Sequence, residues 1–180
     1  MDANQITYFS YMGGGVLFAL FTLTLTWLWQ RKATHFTFVT AALVSTVWLL
    51  LIATHYNHSA LSLGDMLIIE ICRYAAWITA ILAALKFATG QELPKKFFYA
   101  IHSLWAVALT FILLLNLFSA STLNDSSIFI WVNLLLSIVC LISVEQLYKN
   151  GNSLRIIKLY SLVLGSIFAY DIFLFAYSLI

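Results

Sequence analysis

Six stretches of this chain run for about twenty residues or more with little besides apolar and aromatic side chains. They are about Ile6–Trp29, His35–His55, Leu63–Phe87, Phe97–Leu117, Ile128–Leu147 and Ile156–Ile180. Twenty residues of α-helix, at about 1.5 Å each, match a hydrocarbon core of about 30 Å. A chain crossing that core must satisfy its backbone hydrogen bonds internally, which leaves helices and closed barrels. Barrel strands alternate apolar with polar residues, and these runs are continuous. The sequence therefore predicts an all-α, polytopic transmembrane bundle of about six spans. Composition agrees: 63% of the 180 residues are hydrophobic and 9% are charged, against about 25% charged in soluble domains. No stretch reads as a soluble domain. The lipid bilayer is the expected partner, and nucleic acid is not.

The connections are short and polar, and their charges sort by loop. Arg31 and Lys32 fall in the first, Lys86, Lys95 and Lys96 at or in the third, and Lys149, Arg155 and Lys158 at or in the fifth. The second and fourth carry no Lys or Arg. Basic loops favour the cytoplasmic side, so the odd loops are expected inside and the N-terminus outside. The opening "MDANQITYFS" has no basic n-region, and the first run is expected to stay as a span. The last run ends on Ile180 without a polar tail. The expectation is an abrupt stop at the far interface or the front part of a longer protein.

Four charges lie inside the runs and away from the connections: Glu70, Arg73, Glu145 and Asp171. A charge at the bilayer centre costs about 2.5–3.5 kcal/mol, so such residues should face protein or water. Helical rise places Glu70 and Arg73 about 10 and 15 Å from the outer end, and Asp171 about 10 Å from it. Glu70 and Arg73, three apart, share a helix face. Asp171 can complete a carboxylate–arginine–carboxylate cluster, which explains a carboxylate inside "FAYDIFLFAY". Such a cluster can fix helix register, sense a signal or ligand, or carry a proton. Glu145 sits near a span end and is expected to pair with Lys149.

Other residues assign little. Cys72 and Cys140 read as small packing residues. His35 and His102 fall near the basic end, His55 and His58 near the other. A facing pair could bind haem, and His55 with His58 could bind a metal or respond to external pH. Neither pattern is specific, and no metal, cofactor or catalytic set is assigned. Gly13–Gly15, and Gly165 with Ala169, suit close helix approach. Phosphate loops and nucleophile elbows are missing from the sequence.

Two stretches resemble a known family. "VEQLYKN" comprises Val144, Glu145, Gln146, Leu147, Tyr148, Lys149 and Asn150. It precedes a helix with Leu164, Gly165, Phe168, Ala169, Tyr170 and Asp171. This pattern is similar to the membrane region of PrsK-type sensor histidine kinases of PEP-CTERM/exosortase systems in Gram-negative bacteria. The close match covers about a fifth of the chain. The resemblance implies a sensory and anchoring module in the bacterial inner membrane, usually dimeric. A kinase domain would follow elsewhere, and only that domain would bind ATP and engage a response regulator. The competing expectations are a small stand-alone transporter and a structural membrane scaffold.

Overall fold

The computed structural model describes residues 3–27, 33–58, 61–89, 126–150 and 155–177, together with Tyr99, Ser103, 105–107, Thr110 and Leu179. The regular elements among them are all helices. They are α1 (Ala3–Trp27), α2 (Ala33–His58), α3 (Leu63–Thr89), α4 (Ser126–Asn150) and α5 (Arg155–Tyr177). Each is long and apolar enough to cross a membrane. The chain is thus a multi-pass helical membrane protein. The fourth expected span, Phe97–Leu117, lies mostly outside the described residues; those described within it, such as Trp105, are helical.

The ends show local chemistry at work. Ser62 caps α3: its Oγ accepts from the Asp65 N–H at 3.1 Å, and Asp65 Oδ2 accepts from the Ser62 N–H at 3.1 Å. This reciprocal pair satisfies backbone donors that have no partner within the helix. His55 Nδ1 accepts from the Leu61 N–H at 3.3 Å, tying the end of α2 to the connection. At the other end of the bundle, α4 continues past the expected Leu147. Glu145 Oε1 meets Lys149 Nζ at 2.6 Å, and both side chains are more than half exposed. Asn150 Nδ2 then donates to the Gln146 carbonyl at 2.8 Å. The last helix is described as far as Tyr177, and the Leu179 N–H bonds the Ala176 carbonyl in a turn; Ser178 and the expected end at Ile180 lie outside the described residues.

Packing follows chain order. Helix α1 lies against α2, α2 against α3, α3 against α4, and α4 against α5. Helix α3 is the most enclosed, with Leu67, Ile71, Tyr74, Trp77, Ile78 and Ile81 all buried. Helices α1 and α5 leave most of their surface to the surroundings. Hydroxyls rarely act as glue here. Thr22, Thr26, Thr40, Thr46, Thr79 and Ser161 each donate to a carbonyl four residues back in their own helix. Ser45 does both: its Oγ donates to the Ala41 carbonyl at 2.9 Å and accepts from Trp77 Nε1 at 2.9 Å, joining α2 to α3.

The small-residue stripes divide. A side chain begun at Gly15 would meet Leu50 Cδ2 at 3.0 Å, so α1 and α2 approach closely there. Nothing lies within 4 Å of such a position at Gly13, and Ala169 is exposed. Those two are not packing residues, contrary to expectation. Cys140 is fully buried, whereas Cys72 is exposed and does not fill the core. Both corrections have one cause: spacing along a helix does not say which side faces a neighbour.

Candidate functional site: a buried ion cluster

Five helices send side chains to one layer. Counted from the end of the bundle opposite the basic connections, Tyr11, Trp48, Arg73, Tyr74, Ser137 and Asp171 all fall about 9–17 Å deep by helical rise. Glu70 lies one turn above Arg73. The layer is polar because α3 carries Glu70, Arg73 and Tyr74 on its buried surface.

Arg73 is the hub. Its Nε donates to Glu70 Oε2 at 3.0 Å, and its Nη2 donates to Asp171 Oδ2 at 3.0 Å. The side chains of Arg73, Glu70 and Asp171 are 6%, 6% and 14% exposed, so neither contact is screened as a surface pair would be. The guanidinium carbon also lies 4.3 Å from the ring centre of Trp48 and 4.5 Å from that of Tyr74. A desolvated cation over an aromatic face gains up to about 2 kcal/mol. The rings therefore replace part of the hydration that Arg73 gives up. Trp48 also stands edge-on to Tyr11, which stacks on Tyr56 at 5.8 Å. Helix α1 thus borders the cluster through aromatic contacts.

Two carboxylates face one guanidinium. With both ionised, the three residues carry one net negative charge, so the cluster has the capacity to take up one proton or a small cation. Asp171 is the more heavily bonded acid, since its Oδ2 also accepts from the Tyr74 hydroxyl at 3.2 Å. Trp48 Nε1 is shielded from solvent and stands beside the Glu70 carboxylate without meeting hydrogen-bond geometry.

The hydroxyls add a second device. Tyr74 Oη and Ser137 Oγ are 2.7 Å apart, and Ser137 Oγ also reaches the Asn133 carbonyl at 2.8 Å. Three contacts compete for two hydroxyl protons. Two arrangements keep the short contact. In one, Ser137 donates to Tyr74 and Tyr74 donates to Asp171. In the other, Tyr74 donates to Ser137 and Ser137 to the carbonyl. The first favours a negative Asp171. The charge on α5 is thereby wired to the hydroxyl orientation between α3 and α4.

The residues of the family-like pattern divide into three groups. Val144, Leu147, Leu164 and Phe168 are buried, and Val144 Cγ1 would lie 3.6 Å from a side chain begun at Gly165. These form the α4–α5 seam, and Phe168 continues it onto the Tyr74 ring at 6.1 Å. Asp171 enters the ion cluster. Glu145, Gln146, Lys149, Asn150, Ala169 and Tyr170 are exposed and stand apart from both. Tyr148 is exposed too, but its ring lies 5.6 Å from Lys158 Nζ of α5 and extends the seam. Sequence reading brought Glu70, Arg73 and Asp171 together but missed Tyr74, Ser137, Trp48 and Tyr11. A signal existed for Trp48: it lies mid-span, where an indole N–H has no interfacial water to bond. His58 and His102 lie outside the described side chains. Compared with known proteins, the chain matches no family model, no curated protein and no solved structure at a significant level.

Proposed function

We propose that this chain is the membrane sensory and anchoring module of a two-component histidine kinase, of the type that regulates PEP-CTERM and exopolysaccharide systems at the bacterial inner membrane. One observation carries the reading. Helix α5 holds the family-like Asp171 and lies along α4, yet it reaches α3 through long side chains, above all the Arg73–Asp171 bridge. A helix held in this way has a specific latch that a signal can favour or oppose, and a conformational change needs such a differential interaction. Movement of α5 against α3 is the output this module would pass to a kinase domain elsewhere in a longer protein.

The test is Asp171→Asn in the full-length protein, with reporter output and membrane abundance read together. Altered output at normal abundance supports the proposal. Unchanged output at normal abundance refutes the sensory role of Asp171. The one net negative charge of the cluster also favours a second reading, a small proton-coupled transporter. That reading expects Asp171→Asn to abolish a flux in proteoliposomes, and a normal flux would count against it. The intact mass of the native protein separates the two further. A mass well above 20.3 kDa favours the kinase, and a mass equal to it favours the transporter or a scaffold.

A further inference from the structure

The ion cluster pairs two acids with one base, and the two acids are not alike. Glu70 is 4% exposed and accepts one hydrogen bond among the described residues, at Oε2 from Arg73 Nε. The Asp171 side chain is 14% exposed, and its Oδ2 accepts from both Arg73 Nη2 and the Tyr74 hydroxyl. Burial opposes the charged form of an acid, and hydrogen bonds to the carboxylate favour it. Both effects make a negative charge more costly on Glu70 than on Asp171.

The neighbours of the pair add no second cation among the described residues. On α3 itself, Arg73 and Tyr74 face it. Tyr11 comes from α1 with Tyr56 of α2 stacked on it, and Trp48 of α2 stands beside the Glu70 carboxylate. Helix α4 brings Ser137, and also Cys140, within electrostatic reach of Arg73 and Asp171. Tyrosine and cysteine are ordinarily uncharged at neutral pH, so one guanidinium serves both acids.

We infer that Glu70 is the proton-binding site of the cluster, and that the proton it takes up controls the Arg73–Asp171 bridge. The place for the proton is Oε1, because Oε2 already faces the Arg73 N–H. While Glu70 is ionised, the two carboxylates share Arg73 and repel each other across it. Once Glu70 is neutral, the charge of Arg73 is left to Asp171 alone. Proton uptake therefore tightens the hold of α3 on α5, and release loosens it. The proton site stands without the sensory reading; only its use as a signal rests on that reading.

The experiment uses the whole chain in phospholipid vesicles, read by solid-state NMR as the pH is varied. Carboxyl carbons are labelled in glutamate in one sample and in aspartate in another, with arginine nitrogens labelled in both. The Glu70 signal is the one lost in Glu70→Gln, and Glu70→Asp removes it too, so misfolding of one variant leaves the other. The Asp171 signal is the one lost in Asp171→Asn, or in Asp171→Glu. As the pH falls, Glu70 should reach the neutral position while Asp171 is still ionised. The Arg73 signals should move in the same step, and in Glu70→Gln they should sit at the proton-bound position throughout. In Asp171→Asn the arginine serves Glu70 alone, so Glu70 should take its proton only at lower pH than in the wild type. Asp171 becoming neutral before Glu70 overturns the inference. So do Arg73 signals that ignore the Glu70 step, or a Glu70 step unmoved by Asp171→Asn. None of these results depends on reporter output, so failure here is distinct from failure of the sensory reading.

Discussion

Removing the guanidinium of Arg73 tests whether charge, rather than shape, holds the cluster together. Arg73→Met keeps a long chain between the Trp48 and Tyr74 rings and deletes two ion contacts of 3.0 Å each. At an effective dielectric of about 20, each contact is worth about 5.5 kcal/mol of gross attraction. Desolvation offsets much of it, at several kcal/mol per ion. The net loss on stranding buried carboxylates is about 3–5 kcal/mol, roughly a hundred- to several-thousandfold in the folding equilibrium. The triple substitution Glu70→Gln, Arg73→Met, Asp171→Asn strands no charge and should recover most of that loss. Stability is read as reversible unfolding in mixed micelles, with helicity and tryptophan fluorescence followed together. A triple variant no more stable than Arg73→Met would refute the reasoning. The loss would then come from the missing contacts of the Arg73 side chain with its rings, and the carboxylates would be bystanders.

Three further outcomes follow from the same contacts. Trp48→Phe keeps a ring over Arg73 and removes only an N–H beside Glu70 that does not meet hydrogen-bond geometry, so it should cost less than Trp48→Leu, which also loses the cation–ring contact and costs about 1–2 kcal/mol more; equal losses in the same unfolding assay would contradict this. Ser45→Ala strands the buried Trp77 N–H and should cost about 1–3 kcal/mol, with a shift in tryptophan emission, and an unchanged midpoint would show that the bond between α2 and α3 is dispensable. Gly165→Ala should be tolerated, since its new atom lies 3.6 Å from Val144 Cγ1 at ordinary contact distance. Gly165→Leu should separate α4 from α5, read as loss of cross-linking between cysteines placed on the two helices.

The architecture was legible because the bilayer leaves few choices. Run length alone located α1 to α5 to within a few residues at most ends. The errors fell where length says nothing. The three-residue extension of α4 to Asn150 depends on the Glu145–Lys149 pair and the Asn150 side chain closing back on the helix, and both are local chemistry beyond the apolar run. The ion cluster was legible because an unpaired charge in hydrocarbon must find a partner, and depth arithmetic left Arg73 as the cation for Asp171. Its aromatic and hydroxyl members were not. Tyr, Trp and Ser are common in spans, and only the rotation of each helix decides whether Tyr74 faces Ser137 or lipid. Rotation also explains Gly13, Ala169 and Cys72, which have the composition of packing residues but face outward.

The placement of the three charges has a consequence for how the protein is made. Glu70 and Arg73 travel on one helix and are bonded to each other three residues apart. Helix α3 can therefore leave the translocation machinery with its arginine already neutralised by its own neighbour. Asp171 has no such companion on α5. Its counter-charge is 98 residues earlier in the chain, so the carboxylate stays uncompensated until α5 docks against a helix synthesised well before it. Docking of the two is thus what compensates the acid. A chain whose third helix is mis-inserted leaves a naked acid in the membrane, the kind of flaw that quality-control proteases of the bilayer can recognise.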